Sequence, residues 1–528
     1  MEKLYNGIVL PDVWPPQNIE MDSPHEIDVP YLRQKPDVID ISIGRQLFVD
    51  DFLIAESKYL YPFPHKAIKY EGNPVFVPIT ETECATEPCA CPKSGGVWYD
   101  EKAGKYKMWY EAGWLHRMAY AESEDGIHWD RPNLDIVEGT NRILKDVVAD
   151  SSTVFMDHEA DPNERYKLFI RSPDIDYHTG ERHVHGYVAV SSDGIHWERM
   201  TPTSNLGDRS TIFYNPFRKK WVYSIRKNTG EVTAWRRGTN DRVREYRECD
   251  DLLEGAKWIH EDGTRENVNW MRTDVRDLRD PACGDYPQLY NFDAVAYESI
   301  MLGLFQIHKG PSNPVCDKGG FPKLTELIAS YSRDGFHFSR PDREAFIPAS
   351  REVGEWDRGY VQSVGGVCLI HGDELWFYYI GFEGDDRRML HPKDIDAKHT
   401  NASTGIAKLR RDGFVSMDGT GWLKTERLSV AEGRNKLFIN AKAIHGEVRA
   451  ALLDGNGEVL EGYSEDDCVP FVGNSTCARI TWKNKETCAL PNVFRVRFHQ
   501  RNAQLYAFWF SDSEKGDSHG YNAAGAPI

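Results

Sequence analysis

One short motif, repeated along the chain, limits the fold more than any other feature. Ser123-Glu-Asp-Gly-Ile-His-Trp129 returns as Ser192-Asp-Gly-Ile-His-Trp197 and again as Ser332-Arg-Asp-Gly-Phe-His-Phe338. Asp125 and Asp193 lie 68 residues apart, and Asp193 and Asp334 lie 141 apart, close to twice that. A shortened copy, Glu261-Asp-Gly263, fills the gap, and another, Asp412-Gly-Phe414, follows Asp334 after 78 residues. Five copies at a period of about 70 residues mean five equivalent units. Asp-Gly between β-rich runs marks a tight turn, because glycine takes a positive φ without steric cost. Strand-like runs precede the turns: "KYKMWYEAG" and "RMAYAES" in the first unit, "RYKLFIRS" and "GYVAVSS" in the second, "ELWFYYIGF" and "STGIAKLRR" in the fifth. Each unit therefore holds about four antiparallel strands, and such units arranged radially are propeller blades.

The reading is an all-β chain: a five-bladed β-propeller followed by a small β-sandwich. Blades are expected over 76–135, 136–200, 201–265, 266–345 and 346–417. Residues 1–43 read as an arm, 44–420 as the propeller, 425–515 as the sandwich and 516–528 as a loose tail. The sandwich rests on short alternating strands and turns such as Asp454-Gly-Asn-Gly457. The one short helical pattern spans 243–253.

Charge and composition exclude several classes of function. The net charge is −18, with no basic run of five, which argues against nucleic acid or an anionic membrane as partner. No apolar run approaches a membrane span, and the opening lacks a signal-peptide pattern, so a cytoplasmic protein is expected. The ten cysteines are scattered, and Cys84, Cys89 and Cys91 lack a second metal-ligand pair, so they read as reduced thiols. No metal or cofactor motif is present. The 15 Trp and 25 Tyr suit blade cores and also clefts where flat rings stack on sugars.

A second repeat bears the chemistry. Asp150-Ser-Ser-Thr-Val-Phe155 recurs as Asp208-Arg-Ser-Thr-Ile-Phe213 and, more loosely, as Asp285-Tyr-Pro-Gln-Leu-Tyr290. Each opens a strand that can be the innermost of its blade, so the three acids are expected on one rim of the central funnel. Carboxylates facing one another out of water have their pKa values pushed apart, as an acid paired with a base or nucleophile requires. Glu298 is a second candidate proton donor, with a longer reach than Asp285. The matching pairs Asp208-Arg209 and Asp357-Arg358 offer guanidinium forks for a substrate carboxylate or sugar hydroxyls. Glu87 and Lys93 stand where the first blade meets the funnel. His128, His196 and His337 repeat with the turns and read as blade packing.

The five repeats, the Ser-x-Asp-Gly-x-His-Trp turns and the trailing sandwich resemble the five-bladed propeller glycosidases of families 32, 43 and 68, most of all family 32 in domain order. That resemblance implies a nucleophile Asp, a stabilising Asp and an acid/base Glu on consecutive blades. Asp150 would match the nucleophile and Asp208 the stabiliser. Asp285-Tyr-Pro-Gln-Leu-Tyr290 is similar to the family 32 Glu-Cys-Pro-Asp-Leu-Phe, with Asp285 as donor. The chain departs from the family in lacking Trp-Met-Asn-Asp-Pro-Asn-Gly near its start. Its one Arg-Asp-Pro, Arg279-Asp280-Pro281, lies before the fourth blade, and its acids sit one blade late.

The expected activity is hydrolysis of imported oligosaccharides by paired carboxylates. Two rivals are a phosphorylase of the family 130 type, with Arg209, Arg358 and Lys93 as its cationic pocket, and a non-catalytic carbohydrate-binding propeller. The sequence leaves the sugar, the linkage and any homo-oligomer open.

Overall fold

The computed structural model describes all residues other than 149, 159, 176–181, 233–239, 385–396 and 528. Five antiparallel sheets, four of four strands and one of five, carry the chain from Ala90 to Arg410, with Ile68–Lys69 joining the fifth and Tyr521–Asn522 the fourth. Their inner strands are Val97–Asp100, Ser152–Met156, Thr211–Asn215, Gln288–Glu298 and Gly359–Ser363. In the first blade the inner edge also includes Ala90–Cys91 and the 3-10 turn Lys93–Gly95. Each inner edge touches the next in chain order, and the fifth touches the Lys93–Gly95 turn of the first. This closed ring of five is the propeller that the 70-residue period predicts.

The repeated turns staple neighbouring blades together. In three of them the Asp side chain accepts from the two backbone N–H groups that follow and holds His Nδ1 at 2.7 Å: Asp125 with His128, Asp193 with His196, Asp334 with His337. In the first two the adjoining glycine sits against a neighbouring blade's aromatic, and in the third Gly335 sits against Asn215. Trp109 Nε1 donates to the Gly194 carbonyl at 2.6 Å, and Tyr378 OH donates to that of Gly126 at 2.6 Å. Gly194 has φ 83°, and a Cβ there would lie 2.5 Å from the Trp109 ring. His128 and His196 are exposed, so these histidines clasp their turns from outside; only His337 is buried. In the fifth copy Asp412 itself takes the positive φ, 59°, and turns inward.

Three expectations are corrected. Residues 243–253 are not helical; Asn240–Cys249 is the third strand of the third blade. The arm and the propeller boundary also differ. Ile39–Asp40, Gln46–Leu47 and Ile54–Pro64 join Val415–Thr425 in the C-terminal sheet, whose long strands Lys436–Asp454 and Phe494–Ser511 pair through bulges. Ile68–Lys69 instead supplies the outermost strand of the fifth blade. The tail is not loose. Tyr521–Asn522 pairs with the end of Gln288–Glu298, Ala524 is fully buried, and Gly525 accepts from Ile370 N–H.

Candidate active site

The funnel mouth lies where the inner strands begin. One side chain per blade reaches it, each backed by a residue of the second strand. Lys93 is backed by Glu111, Asp150 by Arg171, Asp208 by Arg226, Tyr290 by His308 and Tyr360 by Phe382. The charge order is inverted between blades: a cation inside and an acid behind in the first, acids inside and arginines behind in the second and third. The last two blades present rings. The cavity, about 340 Å³, is lined by these five side chains at the mouth together with Trp114, Arg171, Arg209, Lys323 and His399.

The backbone at this level is strained in a repeated way. Lys93, Ser151, Arg209 and Tyr360 have φ of 43°, 64°, 58° and 51°. A non-glycine residue rarely adopts this left-handed conformation, at a cost of about 1–3 kcal/mol each, and such strain concentrates at functional sites. Here it turns each inner strand sharply into the funnel. The fourth blade solves the same problem with a bulge at Tyr290, where the ladder with Ile300–Gly310 slips between Leu289 and Asn291.

Asp150 and Asp208 meet through Ser151, whose hydroxyl lies 3.4 Å from an oxygen of each. Asp150 is ion-paired with Arg171, and Lys93 Nζ is 3.9 Å away. Burial works against the charge on Asp208, yet Arg226, Arg171, Lys323 and Arg209 hold its carboxyl far below the usual carboxylate range. These cations favour the anion of Asp208, which suits a base, nucleophile or stabiliser better than a proton donor.

Beside Asp208 stands a pair of phenols. Tyr290 OH is 3.4 Å from Asp208 Oδ2, 2.6 Å from Tyr360 OH and 3.3 Å from Lys323 Nζ. Burial alone would raise Tyr290, but Lys323 and then Arg242 outweigh it, and its pKa falls below the ordinary tyrosine value. Tyr360 shifts the other way, first by burial and then by its partner phenol. One wall is aromatic: Trp114 is half-buried, stacks on His399 at 4.1 Å and carries Lys93 Nζ 4.2 Å from its ring.

Asp150, Asp208, Arg209 and Lys93 are thus brought together. Asp285 is not: it is exposed, beside Gly310, outside the cavity lining. In the strand Gln288–Glu298 it is Tyr290, five residues after Asp285, that reaches Asp208. Glu298 is at the opposite end of the same strand. It is 2% exposed and bound by Arg45 N–H at 3.0 Å, Arg411 at 3.0 Å and Ser518 at 2.7 Å, and it does not line the funnel cavity. Asp357 is buried against Lys69 at 2.6 Å and Tyr379 at 2.9 Å. Arg358 and Glu87 are half-buried and do not line the cavity. Sequence reasoning missed Arg171, Lys323, Tyr290, Tyr360 and Trp114. Among the described residues no group of three His, Cys, Asp or Glu is placed to hold a metal ion.

No family model matches the chain, and no curated protein does. Solved structures of similar outline include an N-acetylgalactosamine deacetylase from F. plautii, in complex with blood group B trisaccharide, with TM-score 0.43 and 15% identity over 67% of this chain and 96% of that one. A Bombyx mori family 32 β-fructofuranosidase gives 0.34 and 11% over 88% and 94%. A Bacillus subtilis family 43 arabinoxylan arabinofuranohydrolase, in complex with cellotetraose, gives 0.35 and 10% over 85% and 99%.

Proposed function

We propose that this chain is a glycosidase acting on an oligosaccharide in the propeller funnel. The observation that carries the proposal is the pair Asp150 and Asp208. Two carboxylates from adjacent blades, each facing an arginine of the second strand and joined through one hydroxyl, stand beside an aromatic wall on which a sugar ring can stack. One carboxylate attacks the anomeric carbon or activates water, and the other stabilises the positive charge that develops on the sugar. The leaving oxygen needs a proton, and the cations around Asp208 and Asp150 favour carboxylates over carboxylic acids there. Tyr290, with its lowered pKa and its phenol against Asp208, takes the donor's place in this reading.

The test uses aryl glycosides of graded leaving-group ability together with natural oligosaccharides. Asp150→Asn and Asp208→Asn are expected to lower kcat by about a thousandfold on every substrate. Tyr290→Phe is expected to lose turnover of poor leaving groups while sparing activated aryl glycosides, which need little protonation. A folded wild-type protein that cleaves no glycoside in a broad panel would leave a binding propeller instead. A Tyr290→Phe variant equally slow on all leaving groups would remove the donor role.

A further inference from the structure

The funnel carries more positive charge than its carboxylates can balance. Lys93 is paired with Glu111, and Arg171 with Asp150. Arg209 and Lys323 have no carboxylate within ion-pair distance among the described residues. Arg209 is 2% exposed and lines the cavity, yet none of its three guanidinium nitrogens has a hydrogen-bond partner among the described residues. Its backbone is fixed on both sides: its N–H donates to Ser151 Oγ at 3.2 Å, and its carbonyl accepts from Arg244 at 2.6 Å. Lys323 is 4% exposed and, among the described residues, its ammonium reaches only the Tyr290 phenol, between the Tyr290 and Tyr360 rings at 5.0 and 4.8 Å. A buried unpaired cation is costly, and a planar guanidinium offers two parallel donors to a carboxylate or phosphate. All this occurs in a chain of net charge −18, so it is not part of a general basic surface.

We propose that the funnel binds a compact oxyanion on Arg209 and Lys323, next to the carboxylate pair. The inference rests on the funnel being the substrate site. The anion has two sources of shared chemistry: the carboxylate of a hexuronate unit in the glycan, or free inorganic phosphate. Phosphate would make the reaction a phosphorolysis. A phosphate oxygen then bonds to the anomeric carbon as the glycosidic C–O bond breaks, the leaving oxygen takes the Tyr290 proton, and the hydrogen of hydrogen phosphate returns to Tyr290.

Titration calorimetry of the wild-type protein with inorganic phosphate and with a free hexuronate, at constant ionic strength, tests this without any turnover. Saturable binding of one anion is expected, weakened about tenfold or more by Arg209→Gln and by Lys323→Gln. Arg358→Gln, outside the cavity, should bind as the wild type does. Which anion binds identifies the source, and phosphate-dependent cleavage or preference for glycuronides then follows. Absence of binding of both anions at millimolar concentration, or full affinity in both funnel variants, overturns the proposal. Anion binding by a protein that cleaves no glycoside would leave this proposal standing and remove the glycosidase reading alone.

Discussion

Arg209 and Lys93 illustrate two states of a buried cation in one funnel. Lys93 and Glu111 are both almost fully buried and neutralise each other, so Lys93→Met leaves Glu111 buried without its counter-charge, held only by the Leu115 N–H among the described residues. That class of change costs about 3–5 kcal/mol. Arg209→Met removes a charge without an ion-pair partner of its own among the described residues and leaves Asp208 still beside Arg226. Thermal denaturation of the ligand-free variants should therefore show a lowered midpoint for Lys93→Met and an unchanged or raised one for Arg209→Met. A large loss in Arg209→Met would mean that the guanidinium is already compensated. A second prediction concerns pH. A donor works only while protonated, so activity should fall as pH rises through the Tyr290 pKa, below the ordinary tyrosine range because Lys323 stabilises the phenolate. Lys323→Met removes that cation and should move the alkaline limb of kcat/KM upward; a limb that stays in place excludes Tyr290 as donor. These residues also show what the sequence revealed. Asp150 and Asp208 were legible because identical neighbours fix their register. Tyr290 was hidden by a bulge, which no spacing rule records, and Lys323 and Arg171 come from second and third strands whose positions only the folded blade aligns.

The Asp-Gly-x-His turn is the element that sets blade spacing, and its chemistry predicts a pH signature. Burial opposes the charge on Asp193, but the bond from His196 and two backbone N–H groups lower it to about 2. The bond to Asp193 raises His196 in return. A depressed Asp pKa adds stability that is present above its unfolded value of about 3.9 and is lost as pH falls through the folded value. A raised His pKa adds stability that is full below about 6.5 and is lost as pH rises through the folded value. The clasp is thus strongest between about pH 4 and 6.5. The midpoint difference between wild type and Asp193→Asn should be largest in that window and shrink on both sides; a difference independent of pH would leave only the backbone bonds as its origin. The turns were readable because Asp, Gly and His each have one local task. The strand Asn240–Cys249 was not, since Arg244 is fully buried on it and the alternation of apolar and polar residues that marks a strand is broken. Its run of charges then imitates a helix.

At the scale of the molecule, the propeller, the C-terminal sheet and both chain ends meet at one ionic knot under the fourth blade. Glu298 binds Arg45 from the N-terminal segment, Arg411 from the fifth repeat and Ser518 from the tail. Asp412 binds Arg45 at 2.9 Å and Asn440 at 2.9 Å, which ties the fifth turn to the sheet. The order of propeller and sheet could be read from the repeats and their ending. The knot could not, because Glu298 is more than a hundred residues from each of Arg45, Arg411 and Ser518, and nothing in the local sequence marks any of them as buried. Glu298 therefore has a role opposite to a proton donor. Glu298→Gln keeps the shape but leaves Arg45 and Arg411 short of charge, and should cost on the order of 3 kcal/mol. It should lower the thermal midpoint while kcat, KM and the pH profile on any glycoside the wild type cleaves remain as they are. Ending the chain after Asp517 removes Ser518, the Tyr521–Asn522 ladder and buried Ala524 together, and should lower the midpoint further. If Glu298→Gln instead abolished turnover of poor leaving groups at an unchanged midpoint, the knot would be a catalytic centre, and the funnel of Asp150 and Asp208 would have to be reassigned.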